Sequence, residues 1–101
     1  MPTFAVHYVY DDRTDVRDAT RAEHRRYLSG LLDQGFLLAS GPFVGPVAGS
    51  AGTQPDGALL LVRADSALEV QALLDEDPFA RVGVISDRSI RGWEPVFGPW
   101  S

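Results

Sequence analysis

Residues 58–90 read ALLLVRADSALEVQALLDEDPFARVGVISDRSI, and the changes of pattern inside that stretch decide the fold. Ala58 to Arg63 is a short apolar run of the kind that suits a strand with both faces covered. Ser66-Ala67-Leu68-Glu69 then has the spacing of a capping box, in which the serine oxygen and the glutamate side chain satisfy free amides at a helix start. The helix that follows places Val70, Leu73 and Leu74 inward. It should stop near Glu76, because the residue before Pro78 is pushed out of the helical region. Pro78 fits the first position of a new short turn with Asp77 as its N-cap, and Gly83 releases the chain into a last strand from Val84 to about Ile90.

The first half repeats this order. Thr3 to Tyr10 alternates, with Phe4, Val6, Tyr8 and Tyr10 on one face and Ala5, His7 and Val9 on the other, which is a strand. After the turn at Asp11-Asp12-Arg13 the apolar spacing becomes helical from about Asp15 to Gln34. Val16, Tyr27, Leu28, Leu31 and Leu32 share one side, and Gly35 closes the helix. Phe36 to Ser40 is a second buried strand ending at Gly41-Pro42, and Val44 to Gly57 is a loop of glycine, proline and small residues. Two such halves predict an α+β domain of order βαββαβ over residues 1–101. This is the ferredoxin-like arrangement, with a four-stranded antiparallel sheet and both helices on one face. The opposite face carries apolar side chains among Leu59, Leu60, Leu61 and Val62, so it needs a cover, and a second copy of the chain is the simplest one. The tail Gly92 to Phe97 also has too much apolar surface to be left loose.

Composition narrows the function. A net charge of -5 opposes any surface that works by neutralising nucleic-acid phosphates or anionic lipid. The absence of cysteine removes disulfides, thiolate nucleophiles and the usual structural zinc sites, and makes the reducing cytoplasm the expected location. Neither a leader pattern nor a run able to span a bilayer is expected. His7 and His24 with scattered carboxylates offer no short metal-ligand spacing, and Gly45-Pro46-Val47-Ala48-Gly49 lacks the lysine of a phosphate loop. No serine has a nucleophile-elbow setting. Chemistry without metal or cofactor is what remains.

On the first helix His24 falls close to Leu28 and Leu31 and therefore points inward. A histidine there is either a satisfied core residue or half of an acid-base pair. Asp77 is the candidate partner, although an N-cap role alone accounts for an Asp-Pro pair. Arg21, one turn before His24, could hold an anionic group or reach into water. Ser40, Gly41 and Pro42 either end a strand or line a pocket rim. His7 suits a structural hydrogen bond, and Trp93 and Trp100 suit packing or an interface.

The ordered features Arg21-x-x-His24, Tyr27-Leu28, Gly35, Gly41-Pro42-Phe43, a capped second helix and Asp77-Pro78-Phe79 resemble the YCII (YciI-like) family over nearly the whole chain. The resemblance implies a ferredoxin-like fold paired as a dimeric α/β barrel, and His24 with Asp77 as an active-site pair. Arg21, Ser40, Gly41, Pro42 and Phe79 complete the expected site as substrate contacts. The best understood activity in the family, removal of HCl from a chlorinated hydroxyhydroquinone, implies a cofactor-independent lyase or isomerase acting on a small cyclic or phenolic molecule. The rival readings are a cofactor-free monooxygenase or biosynthetic cyclase on a similar barrel, and a non-catalytic ligand-binding accessory protein. The 44–57 loop is expected to border the pocket and to set what enters it.

Overall fold

The computed structural model describes all 101 residues. The elements follow as β1 (Thr3–Tyr10), α1 (Thr14–Asp33), β2 (Leu37–Pro42), β3 (Gly57–Arg63), α2 (Ala67–Asp75), α3 (Pro78–Arg81) and β4 (Ile85–Gly92). The strands form one antiparallel sheet in the order β2-β3-β1-β4, the ferredoxin-like topology. The two longest apolar strands are central, where neither has a free edge to protect.

Alternation decides which side the helices cover. Phe4, Val6, Tyr8 and Tyr10 of β1 and Ala58, Leu60 and Val62 of β3 are buried, in one cluster with Leu28 and Leu31 of α1 and Val70 and Leu74 of α2. Leu60 and Val62 therefore lie under the helices. The apolar side chains left on the open face are their neighbours Leu59 and Leu61, with Ala5 and Val9, all only half-buried. On β4 the open face is polar, since Asp87, Ser89 and Arg91 stand opposite Val9, His7 and Ala5.

Local signals act much as the sequence predicts. Gly35 adopts φ +85° just past α1 and Gly83 φ +76° after α3, a backbone region that costs other residues a steric penalty. Ser66 accepts from the Glu69 amide, but the Glu69 carboxylate reaches back to the amide of Asp65, one residue beyond a standard capping box. Leu32 departs from the expected inner stripe: it is 51% exposed, because it lies a full residue of rotation past Leu31. The tail is also open, with Phe97 93% exposed. Trp93 and Trp100 line a separate depression beside Met1, Pro2 and Thr3.

The edge strand β2 carries an irregularity that matters for the site. Leu37 pairs with Val62 but Ala39 with Leu61, so Leu38 is an extra residue on the β2 side. In an unbroken strand Leu37 and Ser40 would face opposite ways. The bulge puts both on the helix side, because Ser40 pairs with Leu60 and Pro42 with Ala58.

Candidate active site

A cavity of about 350 Å³ opens between α1 and the β2 side of the sheet. One wall is the α1 stripe that includes Arg21, His24, Arg25 and Leu28; the other is Ala58 and Leu60 of β3 with Leu37, Ser40, Gly41 and Pro42 of β2, where the bulge puts Leu37 and Ser40 on the same side. Phe79 and Tyr10 close the inner end.

Asp77 sits behind this wall, completely buried at 0% exposure. Its position follows from local sequence: Pro78 has no amide hydrogen and starts α3, so the Asp77 side chain turns forward and accepts from the Phe79 amide at 3.0 Å. The same oxygen, Oδ1, lies 2.7 Å from His24 Nδ1. Oδ2 accepts from the Tyr8 hydroxyl at 2.9 Å. A buried carboxylate is costly unless its lone pairs are used, and here three donors from three elements converge on it. The N-cap and the histidine partner, alternatives in the sequence, are thus one geometry.

The imidazole is held on its face as well. The Phe79 ring stacks on His24 with centroids 3.9 Å apart and planes 5° from parallel, and Phe79 also meets Tyr10 edge-on at 5.5 Å. Phe79 thus both lines the cavity and stacks on His24.

The phenols around the carboxylate are kept neutral. Burial, then the negative charge of Asp77, then its hydrogen bond push the Tyr8 hydroxyl far above the ordinary tyrosine range. Tyr10 is pushed up to about 12, by burial first and by Asp77 second. Tyr27, whose hydroxyl donates to the Leu73 carbonyl and so ties α1 to α2, is raised for the same two reasons.

The structure brings His24, Arg21, Ser40, Gly41, Pro42 and Phe79 to one cavity, with Asp77 directly behind. Arg21 lies on that wall but donates to Asp18 at 2.6 Å on the exposed side of the helix. His7 is elsewhere: it is exposed on the open face, its ring 5.7 Å from that of Phe43, and its side chain makes no hydrogen bond. The 44–57 loop does not meet its expectation within the chain, since none of its residues lines the cavity. It is anchored instead by Asp56, whose carboxylate takes a 2.9 Å bond from Arg17. No group of three or more His, Cys, Asp or Glu side chains is placed to hold a metal, and no helix is long and apolar enough to cross a membrane.

Tyr8 and Arg17 escaped the sequence reading. Alternation placed Tyr8 on one face with Phe4, Val6 and Tyr10, and a phenol demands an acceptor if that face is buried, which was the available signal. Arg17 is only 4% exposed; its guanidinium lies 4.9 Å over the Tyr10 ring, and its Nε has no partner. Nothing in helical spacing distinguishes it from the arginines that point to water.

Among solved structures, the chain is similar to the 5-chloro-2-hydroxyhydroquinone dehydrochlorinase of Burkholderia phenoliruptrix AC1100 in complex with 2,5-dihydroxybenzoquinone. The two share 25% identity and a TM-score of 0.73, covering 91% of this chain and 93% of that one. A dimeric ferredoxin-like protein of unknown function from Jannaschia sp. CCS1 matches at TM-score 0.55 and 15% identity over 93% and 99% of the two chains. An antibiotic biosynthesis monooxygenase matches at 0.54 and 14% over 95% and 99%. These last two share the fold alone. No curated protein matches the sequence. The profile of the YCII-related domain matches residues 1–94, which include every strand, both long helices and the Asp77–His24 pair, and the chain therefore belongs to the YCII-related family.

Proposed function

We propose that the chain is a lyase that moves protons on a small hydroxylated ring, and eliminates a leaving group from it, with His24 as the base and no cofactor in the step. The observation that carries this reading is the 2.7 Å contact between His24 Nδ1 and a fully buried Asp77 at the wall of a ring-sized cavity. A carboxylate only accepts, so Nδ1 carries the hydrogen and Nε2 keeps its lone pair for the substrate. Tyr8 and the Phe79 amide hold the carboxylate, Phe79 holds the ring plane, and the negative charge of Asp77 favours the imidazolium formed midway. A cavity of about 150 Å³ holds benzene, so 350 Å³ accommodates a substituted ring.

The similarity to a dehydrochlorinase supports elimination as the reaction. On a halogenated hydroxyhydroquinone the balance is simple. One hydroxyl proton passes through the base to the ring carbon bearing the halogen. A second hydroxyl proton leaves as the carbon–halogen electron pair departs with the halide, and the products are a quinone and HX. Both proton transfers suit a single imidazole, and general acid-base catalysis supplies about 10²–10⁴-fold of the acceleration. Arg21, on the same wall, is the group placed to offset the developing oxyanion.

The test is chloride release from 5-chloro-2-hydroxyhydroquinone under anaerobic conditions, followed together with quinone absorbance. Release that disappears in His24→Ala supports the reading. Product formation that requires oxygen would replace it with the monooxygenase, and ligand binding without turnover in either protein would replace it with the accessory role.

A further inference from the structure

The cavity beside His24 is lined by 14 residues, none of them Asp or Glu, although the chain as a whole carries 14 acidic residues against nine basic ones. In a strongly acidic protein a wall free of carboxylates and bearing two guanidiniums is a local reversal of charge. Those guanidiniums are Arg21 and Arg25, which flank His24 on α1 at spacings of three and one. Arg25 has no ion-pair partner in the chain. Arg21 is paired only with Asp18, and both side chains of that pair are substantially exposed, so exchanging Asp18 for another anion gives up little. The one acidic group nearby, Asp77, lies behind the imidazole, off the wall, and its oxygens are already taken by three donors. The opposite wall is neutral, with Leu37, Leu60 and Pro42 as its apolar floor and the Ser40 hydroxyl beside them.

We propose that this site selects an anionic ring compound, with a carboxylate or an ionised hydroxyl of the substrate held by Arg21 and Arg25 and the ring body lying on Leu28, Leu37 and Leu60. The inference rests on the reading above for the cavity being the substrate site, and adds the charge of the substrate. A planar guanidinium matches a carboxylate with two parallel hydrogen bonds, which a neutral ester or amide cannot reproduce. The arginines then also fix where the ring sits relative to His24, so charge selection and orientation come from the same contact.

Calorimetric titration with 2,5-dihydroxybenzoate, its methyl ester and hydroquinone isolates the charge on a constant ring. The acid is expected to bind about tenfold tighter than the ester at low salt, with the difference shrinking as salt is raised. Arg25→Gln removes most of that preference and Arg21→Gln part of it. Arg26→Gln, one position along and off the wall, leaves it intact. Because binding is read without turnover, His24→Ala also retains the preference. Equal binding of acid and ester, a preference that survives the double Arg21→Gln, Arg25→Gln variant, or no binding of any of the three at millimolar concentration overturns the proposal. Charge-dependent binding by a protein that turns over no hydroxylated ring would sink the lyase reading alone. Turnover of neutral rings with no charge preference would sink the charge inference alone.

Discussion

At the scale of single residues the site is a chain of donors ending on one carboxylate, and each member has its own signature. His24→Ala removes the proposed base and is expected to lower turnover by about 10²–10⁴-fold while leaving far-ultraviolet circular dichroism unchanged. Asp77→Asn keeps the shape but places an amide nitrogen against at least one of three donors, so it should reduce turnover and also cost about 1–3 kcal/mol in urea unfolding. Tyr8→Phe leaves Asp77 Oδ2 without its donor in a dry interior and is expected to cost about 1–3 kcal/mol, with a fall in kcat larger than any change in KM. The phenols make a pH prediction. Burial and Asp77 raise Tyr8, Tyr10 and Tyr27 in the native state, whereas in the unfolded chain they ionise near their ordinary value of about 10. Below that pH both states hold these protons and the stabilisation is complete. Above it the unfolded state releases protons that the native state keeps, so stability falls as pH rises. Phenolate absorbance should therefore lag that of free tyrosine and arrive together with unfolding. A phenolate signal from all three tyrosines in a still-folded protein at pH about 10 would contradict this.

At the scale of elements, the junction between α2 and α3 and the register of two strands place the chemistry. Ser66 caps α2 on the far end from the site, so Ser66→Ala should cost about 0.5–2 kcal/mol by chemical denaturation without altering turnover. Gly57 opens β3 opposite Val9, where a Cβ would run into the Tyr8 carbonyl. Gly57→Ala must displace the backbone beneath the Tyr8–Asp77 bond. It is expected to lower stability by about 1–3 kcal/mol and to lower turnover as well, which distinguishes it from the Ser66 variant. The β2 bulge was invisible in the sequence because Phe36 to Ser40 is a run of apolar and small residues with no alternation to betray a change of face. Its consequence is that Leu37 and Ser40 line the same cavity.

At the scale of the molecule, one face of the sheet carries no helix of its own chain, and Phe43 beside His7 covers only part of it. Ala5, Val9, Leu59 and Leu61 form its apolar centre, with Asp87, Ser89 and Arg91 as a polar edge, which is the anatomy of an interface. A second copy docked there would make a homodimer, and light scattering should give twice the chain mass of 11.0 kDa. Leu61→Arg buries a charge at the centre of that contact and is expected to yield the monomer. A wild-type monomer at micromolar concentration would remove the idea.

The order of elements, the alternation in Thr3–Tyr10, the cap at Ser66, the stop at Gly35 and the turn at Asp77-Pro78 were legible because each depends on contacts within a few residues of chain. His24 and Asp77 were legible as candidates by type and position. What joins them is not local: the Phe79 amide is a cap contact two residues away, but Tyr8 and His24 are 69 and 53 residues from Asp77, and only the stacking of α1 and α3 on the sheet brings both within 2.9 Å of its carboxylate. The burial of Arg17, the outward turn of Leu59 and Leu61 in place of Leu60 and Val62, and the bulge at Leu38 were likewise settled by packing, since a run of like residues has no period from which a face can be read.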